Sequence, residues 1–202
     1  MLKKTFLSVF LLLLLSSCAQ QPSRLNKVLL ATSWSIQQQQ IVALNNWQLT
    51  GKIAIFTPTE RHSFNIHWQQ FENDLQISLT TFLGISVLKI NKTALLTTVI
   101  DAQGKTYTAP NADVLIYSLS RLDIPVELLQ QWIKGNPVQA NYRLNKNNQV
   151  AQLKQKNVSP NSWSIRYSDY QTLTGIALPY KLELQRKDVR LKFAIEQWKI
   201  LP

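Results

Sequence analysis

The chain has 202 residues and a formal charge of +11, from 22 Lys and Arg against 11 Asp and Glu. One cysteine excludes an internal disulfide, and two histidines and five glycines argue against a zinc site or a glycine-rich phosphate loop. The basic balance points to an anionic partner (nucleic acid, acidic lipid or an acidic protein surface) or to a generally solvated basic surface.

The first seventeen residues read as an address rather than as fold. Lys3 and Lys4 form a basic start, Phe6 to Leu15 is an almost unbroken apolar run, and small residues follow it. The run is shorter than the roughly 20 residues that span a bilayer, so 1–17 is expected to be a secretory signal. Export disfavours nucleic acid as the partner. The segment Leu15-Ser16-Ser17-Cys18 resembles the bacterial lipobox, which implies acylation of Cys18. Each buried CH₂ contributes about 0.8 kcal/mol, so several acyl chains anchor a protein durably. Ala19, rather than Asp, follows the cysteine, a pattern that in Gram-negative lipoproteins implies export to the outer membrane. The expected organisation is a signal peptide (1–17), a lipidated tether (18–32) and one domain (33–202).

From Ser33 to Asn46 the spacing predicts a helix, with Trp34, Ile41 and Leu44 on one face, Ser33 as cap and glutamines 37–40 on a solvated face. The period then becomes two. Trp47, Leu49, Ile53 and Ile55 alternate with polar or small residues, as do Phe64, Ile66 and Trp68, and then Leu75, Ile77 and Leu79. Residues 85–90, 94–100 and 105–109 continue as strands, with a hairpin turn at 101–104. Ala112, Leu115, Ile116 and Leu119 recur at helical spacing. A second short helix follows, with Pro125 in its first position, Leu128, Leu129, Trp132 and Ile133 on one face, Lys134 in its last turn and Gly135 just beyond. Strand signals return at 142–144, 150–154, Trp163 to Tyr167, Leu182 to Leu184 and Leu191 to Ile195. The expected fold is mainly β with α: one antiparallel sheet with helices on one side.

Several of these stretches are similar to the LolB family of Gram-negative outer-membrane lipoprotein receptors. They are Trp47-x-Leu49-x-Gly51-Lys52-Ile53, Trp68-Gln69-Gln70, Leu83-Gly84, Gly104-x-x-Tyr107-x-Ala109, Trp163-x-Ile165-x-Tyr167, Leu178-Pro179 and Trp198. The most specific is Ile124-Pro125-Val126-x-x-Leu129-x-x-Trp132-Ile133-x-Gly135-x-Pro137. The resemblance implies an open, half-closed antiparallel β-barrel, covered on one side by helices, with an apolar interior cavity for acyl chains. It implies three partners: a LolA-type periplasmic carrier, acylated lipoprotein cargo, and the outer-membrane phospholipid that receives it. It also implies an apolar loop that pushes lipid into the membrane, here Phe82-Leu83-Gly84, with Phe82 in place of the family's proline.

The cavity residues expected on this basis are Trp47, Phe64, Ile66, Trp68, Leu79, Leu129, Trp132, Ile165 and Phe193. Periodicity by itself favours an ordinary filled core, since a pattern cannot show a void; the resemblance favours the cavity. A buried strand-end residue is likewise the ordinary alternative for Leu83. Arg121, Lys134, Arg143, Arg166 and Lys181 are the cations available to dock an acidic rim on the carrier. No catalytic constellation is visible, so no enzyme activity, cofactor or metal is expected, and the domain is expected to be a monomer. The residues leave open a scaffolding outer-membrane lipoprotein without a cavity and, more distantly, a lipid-anchored hydrolase.

Overall fold

Apolar–polar alternation favours strands whose two faces differ in polarity. In the computed structural model, which describes residues 33–156 and 161–202, that alternation becomes eleven strands and three helices among the described residues. The expected signal peptide, Cys18 and the tether lie outside the described residues. A helix, α1 (Trp34–Ala43), leads into β1 (Asn46–Phe56), β2 (Arg61–Phe71), β3 (Asp74–Thr80), β4 (Ser86–Lys92), β5 (Thr97–Ile100) and β6 (Thr106–Ala109). Two helices follow, α2 (Ala112–Ser120) and α3 (Val126–Trp132). The chain ends with β7 (Ala140–Leu144), β8 (Val150–Gln155), β9 (Ser164–Leu173), β10 (Ile176–Arg186) and β11 (Val189–Ile200).

All eleven strands form one antiparallel sheet in the order β6-β5-β4-β3-β2-β1-β11-β10-β9-β8-β7. The last strand returns beside the first, and β6 and β7 remain as free edges, so the barrel is not closed. Antiparallel register converts alternation along each strand into rows across the sheet. One row runs Leu49, Trp68, Ile77, Ile90, Val99; the next runs Gly51, Ile66, Leu79, Leu88. These rows occupy the inner face, which faces α2 and α3 and forms a single apolar cluster from Val99 on β5 to Val150 on β8. The alternate residues form the outer face.

The β1–β11 pairing shifts register between Thr50 and Gly51, and a side chain at Gly51 has no space. A Cβ there lies 2.3 Å from the Ala194 carbonyl oxygen and 2.8 Å from the Ile195 Cα. A glycine in a bulged strand permits this approach of two backbones.

The first helix departs from expectation in two ways. It stops at Ala43, and Gln37 is buried rather than solvated. The Gln37 amide donates to the Ala177 carbonyl at 2.7 Å and accepts from the Ala177 N–H, docking α1 on β10 as a strand would dock. Ser33 is at the cap position but makes no side-chain cap bond. Two predicted strands are shorter than expected. Ile85 lies in the loop before β4, and 94–96 form the turn before β5. Pro125 stands one residue ahead of α3.

Lys134 also departs from expectation. It is 1 % exposed, and its Nζ donates to the carbonyls of Ile41 (3.1 Å) and Leu44 (2.7 Å), which end α1. A cation suits those carbonyls, because the last turn of a helix leaves acceptors unfilled and carries partial negative charge. Burial lowers its pKa from the usual 10.5 to about 8. Lys134 is therefore unavailable to dock a partner.

Candidate lipid-binding site

A cavity of about 140 Å³ lies between the inner face and the two central helices. The sheet supplies Ile53 and Ile55 from β1, Ile66 and Trp68 from β2, Ile77 and Leu79 from β3, Leu88 and Ile90 from β4, and Phe193 from β11. The cover supplies Ile116, Leu119 and Ser120 from α2, Leu122 and Ile124 from the linker, and Val126 and Leu129 from α3. The only polar side chains on this lining are Ser120 and Trp68. Ser120 Oγ donates to the Ile116 carbonyl and accepts from the Leu122 N–H. The Trp68 indole N–H, fully buried, has no hydrogen-bond partner among the described residues.

Of the nine cavity residues expected from the sequence, Ile66, Trp68, Leu79, Leu129 and Phe193 line this space. The other four lie elsewhere. Trp47 packs its ring 5.4 Å from Trp68 and 5.2 Å from Trp198, in a tryptophan cluster nearer the start of β1. Trp132, at the end of α3, is fixed beyond the cavity, its indole N–H donating to the Val138 carbonyl and its own carbonyl accepting from the Tyr167 hydroxyl. Ile165 sits on β9, buried in the core cluster away from this cavity's lining. Phe64 stacks on His62, farther along β2.

Apart from Leu129, the residues of the cavity's ceiling are not among those expected from the sequence. Ile116 and Leu119 had the right helical spacing, but nothing in one helix's periodicity says which strand lies opposite. The linker residues Leu122 and Ile124 follow no period at all.

The linker is held at one end of the sheet. The Asp123 carbonyl accepts from the Trp163 indole (3.2 Å) and from Arg186 (3.2 Å), and the Asp123 carboxylate forms an ion pair with Arg186. On the opposite flank, Lys92 of β4 pairs with Glu127 of α3 at 2.5 Å, and the Glu127 N–H donates to Asp113 of α2 at 3.1 Å. The cover is therefore fastened by polar contacts at its margins and by apolar packing at its centre.

The loop between β3 and β4 leaves the sheet at the same end as Ile55 and Leu88 of the cavity. It is a tight turn: the Thr81 N–H donates to the Ile85 carbonyl, the Gly84 N–H donates back to Thr81, and Gly84 has φ +82°. The turn projects its apolar residues outward, with Phe82 86 %, Leu83 70 % and Ile85 62 % exposed. Three adjoining large hydrophobes in water mark a contact surface rather than ordinary surface scatter. Leu83 is thus not a buried strand end, and Ile85 joins the tip.

The open antiparallel sheet with its helices has counterparts of similar fold among solved structures. A solved LolA superfamily protein from Nitrosomonas europaea aligns with a TM-score of 0.52 over 85 % of this chain and 94 % of that one, at 9 % identity. A DUF1329 family protein from Desulfovibrio piger aligns with a TM-score of 0.50 over 83 % and 90 %, at 10 % identity. Within that fold class, the family model described as "Outer membrane lipoprotein LolB" matches residues 45–198. The chain is 48 % identical to the outer-membrane lipoprotein LolB of Psychromonas ingrahamii, with 96 % of each chain covered. It is 37 % identical to that of Vibrio cholerae, over 95 % of this chain and 93 % of the relative. The chain belongs to the LolB family of outer-membrane lipoproteins.

Proposed function

We propose that this protein receives acylated lipoproteins from a LolA-type periplasmic carrier and inserts them into the outer membrane. In this reading 1–17 is the signal peptide, Cys18 carries the protein's own acyl anchor on the periplasmic face of that membrane, and 33–202 is the binding domain. The observation that carries the reading is the pairing of an apolar cavity with an exposed apolar tip at one end of the sheet. An acyl chain cannot cross water unaided, since exposing each CH₂ costs about 0.8 kcal/mol. Cavity walls replace the bilayer during transfer, and the tip of Phe82, Leu83 and Ile85 gives the chain a route into it. A scaffolding role leaves both features without a use.

The cavity must enlarge to work. At about 140 Å³ it matches an engineered void of about 150 Å³ that holds a molecule the size of benzene, far less than a fatty chain. Swinging α2 and the linker away from β3 and β4 is the motion that lengthens it, because each sheet register is fixed by a ladder of hydrogen bonds while the cover is held by a few polar contacts at its margins. Cargo then displaces Leu119, Leu122 and Ile124 from the apolar rows.

The test is transfer of an acylated lipoprotein from carrier to vesicles. Leu83→Glu is expected to lower delivery into the bilayer at least about tenfold, from the lost burial of one leucine, while cargo binding in solution persists. Unchanged delivery would sink the assignment of the tip. Binding of acylated cargo no tighter than that of its unacylated form would sink the assignment of the cavity.

A further inference from the structure

On the outer face, a groove of about 630 Å³ runs beside the exposed tip. Its floor is made of short side chains, Ala54, Ser63 and Ala194, which the cross-strand register brings together. Phe82 forms one side. Lys52, Arg166, Lys181 and Lys192 line it against a single lining carboxylate, Glu183, which accepts from Arg166 at 2.8 Å and Lys192 at 3.2 Å. Lys52 and Lys181 are drawn to Glu196 and Asp169 outside the groove, at 3.5 and 3.1 Å.

Phe56 lies beyond the groove's lining, at the tip end of the sheet. There the guanidinium of Arg61 lies 4.9 Å and that of Arg190 4.5 Å from the ring centre, with Lys192 Nζ at 6.0 Å. The register explains the cluster: Phe56 sits directly opposite Arg61 on one side and Arg190 on the other. Neither arginine has a carboxylate partner among the described residues. The ring holds both by cation–π attraction.

We propose that this outer-face groove, with Arg61 and Arg190 at its mouth, seats the headgroup of an anionic phospholipid, so that the tip docks preferentially on acidic bilayers. The proposal deepens the reading of the tip and rests on it. An apolar tip beside splayed cations is the arrangement of a bilayer interface: side chains of Phe82, Leu83 and Ile85 enter the acyl region while guanidinium groups meet phosphate one layer above. An acidic protein surface complements the arginines but offers nothing to three bare hydrophobes. The charge sign fits too, because Arg61 and Arg190 lack acidic partners among the described residues and sit at the end of the sheet that carries the tip.

The test is flotation of the mature chain, residues 18–202, carrying Cys18→Ser and so lacking both the apolar signal segment and the acyl anchor, with vesicles of phosphatidylcholine alone or with added phosphatidylglycerol. Phosphatidylglycerol is expected to raise the bound fraction, and salt to reverse the gain. Arg61→Gln, at an exposed position, is expected to cut the gain about fivefold, and Arg61→Gln with Arg190→Gln to remove most of it, at about fivefold per arginine. Thermal melting of each variant shows that the fold is kept. A phosphatidylglycerol gain that is absent, or equal in the double variant and the parent, overturns the proposal. So does a double variant that slows association with the carrier while partitioning onto vesicles normally, since that assigns the surface to a protein partner. Leu83→Glu separates the two readings: if it blocks delivery into neutral vesicles while the arginine variants change nothing, the headgroup site fails and the transfer function stands.

Discussion

A lysine with no carboxylate partner among the described residues sits inside the fold, and its titration should be visible in the stability of the whole domain. Lys134 holds the last carbonyls of α1 while burial lowers its pKa to about 8. In the unfolded chain it keeps its proton to about 10.5, so between these values the unfolded state binds more protons than the folded one. Stability therefore rises with pH across that window, by at most about 3 kcal/mol. Urea unfolding at about pH 7.5 and pH 9.5 is expected to give a higher midpoint at the higher pH, and Lys134→Met is expected to remove that increment. The variant's midpoint rising with pH as steeply as the parent's would show that another group is responsible. Leu83 makes the contrasting case at this scale: its side chain is mostly solvated, so Leu83→Glu is expected to leave the unfolding midpoint within about 0.5 kcal/mol of the parent while altering membrane delivery.

Two elements carry the mechanics. The β1–β11 pair joins the two ends of the chain and places the groove, and it depends on the bulge at Gly51. A methyl group there meets backbone atoms at 2.3 and 2.8 Å that cannot rotate away. Gly51→Ala is expected to destabilise the domain by about 2–3 kcal/mol, as overpacking does, read as a lowered urea midpoint. The cover of α2, linker and α3 works the other way, since function needs it to move. Arg186 and Trp163 both hold Asp123, so Arg186→Gln is expected to loosen the linker without disturbing the sheet. Hydrogen exchange should then quicken at Leu122 and Ile124 while β1 and β2 keep their protection, and cargo should enter faster. Equal protection in parent and variant would mean that the apolar contacts alone keep the cover shut.

For the whole molecule, the excess of cations sets how it meets its partners. Without the signal peptide, which carries Lys3 and Lys4, the formal charge of +11 becomes +9 (11 − 2), and the chain attracts acidic surfaces over a distance set by salt: a Debye length of about 30 Å at 0.01 M shrinks to about 8 Å at 0.15 M. Cargo transfer from an acidic-rimmed carrier is expected to slow across that range through its association rate, as stopped-flow mixing reports. A rate indifferent to salt would assign the basic surface to solvation alone.

The sequence by itself determined the inner face of the sheet. Alternation in 47–55, 64–68 and 75–79 reads directly as half-buried strands, because a side chain's face in a strand depends only on odd or even position. The order of strands and helices, Gly135 beyond the second central helix and the apolar character of the tip were legible for similar local reasons. The cavity was not. Trp47 and Ile165 obey the same strand periodicity as Trp68 and Ile66, and Trp132 the same helical spacing as Leu129, yet all three belong to the core cluster without lining this cavity. Whether a row meets an opposing row or a gap depends on how far the sheet curls and where α2 and the linker cross it, and both are set by contacts between residues distant in sequence. Gln37 and Lys134 escaped the sequence for the same reason: a polar side chain is buried when a backbone partner awaits it, and that partner was supplied by β10 in one case and by the end of α1 in the other.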